Sequence, residues 1–247
     1  MGRFQDLLLL FLLGCASLTM AQNLLCHKGV FTTLLDDPRN SSNWTGGEVE
    51  TCDKGALCQE TILMIIAAGE KTAILATKGC ISEKTESVTF IQHSPPPGLV
   101  AVSYTNYCES PLCNKRESIA SFWKPEVTTA PSVRTLHCPT CVAQGTCFNA
   151  PLLPCPHGTT RCYQGKLNFS GGGINSSLEV KGCTATAGCR LMARISEVGP
   201  ISMTEVCPRQ LQAQARKAAS GASWFPVSVW RLTLRLSLLL QSLVLFF

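Results

Sequence analysis

The residues of this sequence best equipped for chemistry are its cysteines, fifteen in 247 residues. A thiol serves as a nucleophile, a redox centre, a metal ligand or half of a disulfide, and its setting decides which. Cys138-Pro139-Thr140-Cys141 has the spacing of a redox or zinc motif. A redox pair needs one thiolate exposed at a helix N-terminus, and a zinc knuckle needs a second paired set; the cysteines nearby read instead as disulfide partners. His27, His93, His137 and His157 show no metal-binding spacing and read as ordinary surface or loop histidines. No Gly-x-Ser-x-Gly elbow, phosphate-binding loop or pair of catalytic carboxylates is present, and Gly171-Gly172-Gly173 lacks the following lysine and helix of a phosphate loop. An enzyme is therefore not expected, and neither a cofactor nor a metal is called for. Four Asn-x-Ser/Thr sequons, at Asn40, Asn43, Asn168 and Asn175, offer a different chemistry. In a secreted chain each is an acceptor for N-glycan and must face water.

The two ends argue for that secretory route. Leu7–Leu13 is an apolar run after Arg3, followed by Gly14-Cys15-Ala16-Ser17, the order of a signal peptide. Cleavage is expected after Ala21, with Ala16 or Leu18 as alternatives, so that residues 1–21 are removed. Cys15 leaves with them, and the remaining fourteen cysteines are read as seven disulfides formed in an oxidising compartment. At the other end Leu236–Phe247 is apolar but, at twelve residues, shorter than the roughly 20 a span needs. Before it come the spacer Ser223–Arg235 and the small residues Ala218-Ala219-Ser220-Gly221-Ala222. Small residues, spacer and tail together read as a glycosylphosphatidylinositol (GPI) attachment signal. Ser220 is the preferred attachment residue, with Ala218, Gly221 and Ala222 as alternatives, and 221–247 is the removed propeptide. A tilted single span or an amphipathic surface helix are the competing readings; Arg231 and Arg235 count against the span. Removing Arg3 with Asp6 leaves the formal charge of +5 unchanged, and removing Arg231 and Arg235 lowers it to +3. No basic stripe remains to argue for nucleic acid.

The elements that hold these residues come as a duplication. Six cysteines fall between Cys26 and Cys113 and eight between Cys138 and Cys207, separated by the cysteine-free Asn114–His137. Five residues lie between Cys52 and Cys58 and six between Cys155 and Cys162; the stretches Cys58–Cys80 and Cys162–Cys183 both close on Lys-Gly-Cys. A frame recurring about a hundred residues apart is an internal repeat. Each long stretch reads as a β-hairpin: Thr61–Ala67 out, a turn at Ala68–Lys71 and Thr72–Thr77 back; then Cys162–Phe169 out, a flexible tip at Ser170–Gly173 and Ser177–Val180 back. Ser94-Pro95-Pro96-Pro97-Gly98 reads as a stiff loop tip, and Lys115-Arg116 and Arg216-Lys217 as solvated charges. Domains this small lean on their disulfides. Spacing alone leaves 15 connectivities for six cysteines and 105 for eight.

This frame resembles the three-finger lymphocyte-antigen/urokinase-receptor family, whose domains send three β-loops from a disulfide-knotted palm. Cys108-x4-Cys113-Asn114 looks like the family's ending and Cys138-x2-Cys141-x5-Cys147 like its opening. The resemblance implies an all-β fold of two tandem three-finger domains, 22–114 and 136–208, with a linker 115–135 and a stem 209–220. It implies the pairs Cys26–Cys58, Cys52–Cys80 and Cys108–Cys113 in the first domain, and Cys138–Cys162, Cys141–Cys147, Cys155–Cys183 and Cys189–Cys207 in the second. The first domain departs from the pattern in lacking the small opening disulfide, and the second in lacking the Cys-Asn ending. Glu48–Ile62, Thr135–Thr146 and Gly158–Lys166 look like a GPI-anchored germ-cell member of the family. That likeness implies a surface glycoprotein presenting finger loops to germ-cell membrane proteins, among them disintegrin-metalloprotease-type adhesion proteins and other members of the family. The alternative is a receptor that captures a soluble protease or similar ligand in a cleft between the two domains.

Overall fold

Thr61–Ala67 (TILMIIA) lacks the polar–apolar alternation of a strand with one wet face, and such a run is a strand covered on both sides. A computed structural model of the chain describes residues 23–36, 44, 47–67, 71–82, 89–117 and 136–208. The signal peptide, Asn40, Asn43, the turn at 68–70, the linker beyond Glu117, the stem, and Ser220 with Ala218, Gly221 and Ala222 lie outside the described residues. The apolar run falls within strand β3 (Leu57–Ile66), which is buried at nine of its ten positions. β3 pairs antiparallel with β4 (Thr72–Ile81) to form the middle finger of the first repeat. The first finger is β1 (Leu25–Leu35) with β2 (Glu48–Thr51), and the third is β5 (Thr89–Ser94) with β6 (Val100–Cys108). Together they make a six-stranded sheet in the order β2-β1-β4-β3-β6-β5.

The second repeat runs β7 (His137–Pro139), β8 (Cys141–Gln144), β9 (Leu152–Pro154), β10 (Arg161–Gly171), β11 (Ile174–Thr184), β12 (Glu197–Val198) and β13 (Ile201–Val206). Its main sheet, β12-β13-β10-β11-β8, reproduces the order β5-β6-β3-β4-β1, and β7 pairs with β9 apart from it. The duplication in the cysteine spacing is thus a duplication of topology, and the chain is all-β with two three-finger domains. The hairpin β10–β11 is longer than the sequence reading. Its strands stay paired to Gly171 and Ile174, so the tip is a two-residue turn rather than four flexible residues. Gly172 and Gly173 both have positive φ, 56° and 80°, as a type I′ turn requires and as glycine adopts without steric cost.

Alternate residues of β3 point to two different cores. Ile62 and Met64, with Ile74, Ala76, Val100, Val102 and Tyr104, pack with Trp44 on one face. Leu63 and Ile65, with Ala73, Leu75, Leu99 and Ala101, form a single cluster with Leu167, Phe169, Leu178, Val180, Ile201 and Met203 of the second repeat. The two sheets therefore close on one shared core. Domains of this size have small cores of their own, and the shared cluster adds to the apolar surface that each can bury. The second sheet's other face stays wet: β10 alternates buried Tyr163, Leu167 and Phe169 with exposed Gln164, Lys166 and Asn168. Contacts join the two domains into one unit that ends at Cys207.

Candidate interaction surface

The palms are built from stacked disulfides. The structure joins Cys26–Cys58, Cys52–Cys80 and Cys108–Cys113 in the first domain. In the second it joins Cys138–Cys162, Cys141–Cys147, Cys155–Cys183 and Cys189–Cys207. Cys138 and Cys141, the two ends of the redox-like motif, are bonded to different partners. In each palm two bridges touch: Sγ of Cys26 lies 3.0 Å from that of Cys52, and Sγ of Cys138 lies 3.3 Å from that of Cys155. The four bridges that meet in these two pairs close 24 to 32 residues and contribute about 3–4 kcal/mol each in the chain-entropy model.

Polar side chains tie the fingers to each palm. Asn114 is fully buried; its Oδ1 accepts from the His27 amide at 2.9 Å, and its Nδ2 donates to the carbonyls of His27 (2.8 Å) and Gln59 (2.9 Å). One amide thereby joins the first finger to the second, which is the physical reason for an asparagine at the end of this domain. The second domain has no such residue and uses Glu205, whose carboxylate accepts from Tyr163 Oη (2.7 Å), the Leu191 amide (2.7 Å) and the Met192 amide (3.2 Å). Burial, reinforced by that carboxylate, pushes the Tyr163 hydroxyl far above its ordinary value. Glu179 plays a similar part beside the small disulfide, accepting from the Cys147 amide at 2.7 Å and pairing with Lys181 at 3.1 Å. Burial pushes its carboxyl up, but the Cys147 bond and Lys181 pull it further down, and it stays below the ordinary carboxylate value.

Arg116, read from the sequence as a solvated linker charge, is instead held on the first domain. Its guanidinium lies 3.7 Å from buried Glu60 and over the Tyr104 ring, 4.7 Å from the centroid. Its amide donates to Glu60 Oε2 at 3.2 Å. Lys78 sits 4.3 Å from the Trp44 ring centroid and donates to the carbonyls of Trp44 and Arg116. The Trp44 amide donates to the Glu117 carbonyl at 2.9 Å. The chain is thus held on the first sheet through Glu117.

Two loop tips that would present themselves to partners are occupied within the chain. The tip between β5 and β6 docks on the second palm: the Leu99 amide donates to the Cys183 carbonyl at 2.8 Å, and Leu99 is 1% exposed. A Cβ on Gly98 would run into that same carbonyl, and one on Gly182 would lie 2.8 Å from Leu99 Cδ2. The Gly172–Gly173 turn docks in return on the first sheet, where Thr77 Oγ1 donates to the Gly172 carbonyl at 2.6 Å. A Cβ on Gly173 would lie 2.6 Å from Val30. The first domain's proline-rich tip is thus seated on the second palm, and the second domain's glycine turn on the first sheet.

The surface that remains has two characters. Asn168 and Asn175 are exposed on adjacent strands of the wet face, Asn168 opposite Ser177 and Asn175 opposite Ser170. They are diagonal neighbours, about 7–8 Å apart, beside a shallow hollow lined by Ser196, Ser202 and Thr204. Away from this face, apolar side chains stand in solvent: Phe90 and Ile91 on the edge strand β5, Val49 on β2, and Leu152 with Phe148, the last 83% exposed. Phe148 directly follows Cys147, whose amide and carbonyl are held by Glu179 and Lys181, so its backbone is fixed while its ring is free.

His27 and His137 lie on strands and His157 in an exposed turn, but His93 corrects the sequence reading. It is buried in β5, and its Nε2 lies 2.8 Å from Ser103 Oγ. Histidine beside hydroxyl is the beginning of a nucleophilic dyad, yet Ser103 is itself buried at 3% exposure, out of reach of a substrate. No signal short of the β5–β6 register marks this pair in the sequence. The cysteine-rich groups close enough to hold a metal, such as Cys138, Cys155 and Cys183, are spent in disulfides. Among the described residues, no helix is long and apolar enough to cross a membrane.

Comparison with known proteins agrees with this architecture. The family model of the u-PAR/Ly-6 domain matches twice, at residues 38–116 and 134–215. Testis-expressed protein 101 of Homo sapiens is 60% identical over 243 residues, covering 98% of this chain and 97% of that protein. Its Mus musculus counterpart is 52% identical over 243 residues, again covering 98% and 97%. The crystal structure of mouse TEX101 superimposes with a TM-score of 0.67 at 52% identity, covering 74% of this chain and 97% of that one. Two matches to the domain model, one on each three-finger sheet, show that the chain belongs to the u-PAR/Ly-6 domain family.

Proposed function

We propose that this chain is a non-catalytic germ-cell surface glycoprotein, held on the outer membrane leaflet by a GPI anchor, that supports sperm maturation, migration and egg-coat binding. The observation that carries the proposal is identity of 60% and 52%, over 98% of the chain, to proteins named for expression in testis. Buried His93 and Ser103, and cysteines engaged in disulfides, support binding as the chemistry of this surface. Its partners are other germ-cell membrane proteins, including disintegrin-metalloprotease-type adhesion proteins and other family members. The seated tips direct those contacts away from two of the finger loops and toward Phe90 and Ile91 on β5 and the Phe148 loop. Glycans at Asn168 and Asn175 would sheathe the wet face of the second sheet. The soluble-ligand reading needs an open cleft between the domains, and the shared core weighs against it.

Phosphatidylinositol-specific phospholipase C should release the protein from intact cells. Retention together with an intact C-terminal peptide at Phe247 would remove the anchor from the proposal. Cross-linking on the same cells should capture membrane proteins, and recovery of a soluble protease instead would favour the alternative.

A further inference from the structure

We propose that the packing between the two domains is acid-labile and that His93 is the group that senses the proton. His93 is the extra residue of a β-bulge: Gln92 stands opposite Val102 and Ser94 opposite Ala101, leaving His93 unpaired in the ladder. Bulges re-aim side chains, and this one turns the imidazole onto Ser103. Ser103 alternates along β6 with Leu99 and Ala101 and stands opposite Leu63 on β3, three residues that belong to the core shared by the domains. The imidazole is therefore on the sheet face that meets the second domain, a few residues from the tip seated on Cys183. It is 6% exposed although β5 is an edge strand, and its Nδ1 is buried without a hydrogen-bond partner.

A neutral imidazole tolerates that arrangement, with Nε2 engaged and Nδ1 an unprotonated acceptor. A protonated one does not, because Nδ1 then carries a buried N–H and a positive charge with no acceptor to meet them. The charged groups around it do not compensate. Glu60 of β3 lies with Arg116 and Tyr104 on the opposite face of the sheet. Tyr107 of β6 is buried, and Cys183 across the interface is in a disulfide. His157, beside Gly158 where Pro97 rests, is exposed and adds no negative charge, and Glu205 of the second domain is engaged by Tyr163 and the Leu191 and Met192 amides. Burial alone lowers the His93 imidazole below its ordinary value of 6.5.

When the domains part, the imidazole regains that ordinary value, so the open form takes up the proton first. The closed form is at full strength above pH 6.5 and loses ground as the pH falls from there through the depressed value. The Leu99 amide, bonded across the interface to Cys183, reports the opening directly. Hydrogen exchange at this amide in the mature glycosylated protein, corrected for the intrinsic rate, should lose up to about tenfold protection per pH unit below 6.5. His93→Gln, which keeps a group able to reach Ser103 but cannot be protonated, should hold its protection flat, while His157→Gln should respond as the wild type does. Flat protection of the wild type between pH 7.5 and 5.0, or an unchanged acid response in His93→Gln, would overturn the proposal. If His93→Gln does not fold, the imidazole resonances of the wild-type protein decide: a His93 midpoint below 6.5 is the predicted result, and one at or above it contradicts the proposal.

Discussion

Truncating Leu99 to alanine probes the shared core at the point where one domain's tip enters the other. The side chain is 1% exposed and clustered with residues of both sheets. Burying a leucine to alanine change in a core costs about 2–5 kcal/mol, the larger values belonging to sites that cannot collapse. Here collapse is restricted: Gly182 offers only backbone, and Cys183 is pinned by its disulfide to Cys155. A loss of about 3–4 kcal/mol follows. At about 2–4 °C per kcal/mol for a chain of this size, the melting temperature should fall by about 6–16 °C. Calorimetry should record one transition for both domains, before and after the change. Amides of β3 and β10 should become less protected together. Two separable transitions in the wild type, or a loss below about 1 kcal/mol, would refute the reading of one core.

Other changes test other parts of the scaffold. Asn114→Ala strands the His27 amide and carbonyl and the Gln59 carbonyl, and should cost about 3 kcal/mol or more by chemical denaturation; a cost under about 1 kcal/mol would show that the amide does not tie the fingers. Cys52→Ser or Cys155→Ser removes a palm bridge, at a cost of about 2–5 kcal/mol, and should leave the protein retained in the secretory pathway; normal surface levels of both would contradict the scaffold argument. Because the folded Glu179 carboxyl lies below its unfolded value of 4.5, its contribution is present above pH 4.5 and lost as the pH falls through the folded value. Glu179→Gln should therefore be less stable than the wild type at pH 7, and the gap should narrow in acid. A gap that widens below pH 4.5 would reverse the sign of that argument.

The duplicated frame was readable because cysteines keep their spacing while everything between them changes. Lys-Gly-Cys closes both middle fingers, and Cys52–Cys80 and Cys155–Cys183 share a sequence separation of 28. The pairing itself needed the family resemblance, since spacing leaves many connectivities open. What escaped the reading lies in contacts made across 80 residues or more, such as Leu99 with Cys183 and Thr77 with Gly172. One signal was present: TILMIIA does not alternate, although a three-finger sheet standing alone would keep one face wet. That run already required a second layer. Arg116 and His93 carried no such mark, because a charge after a domain end and a histidine in a polar strand look alike whether buried or solvated.

On the proposed function, this protein acts through contacts confined to the membrane surface. Anchoring raises the effective concentration of two partners on one surface, so contacts too weak to form in solution still form there. A form ending before Ser220 and the full chain should be compared in germ cells that lack the protein. The truncated form, added from outside, should fold with its seven disulfides yet leave sperm migration deficient, while the full chain restores it. Complete restoration by the soluble form would contradict the account.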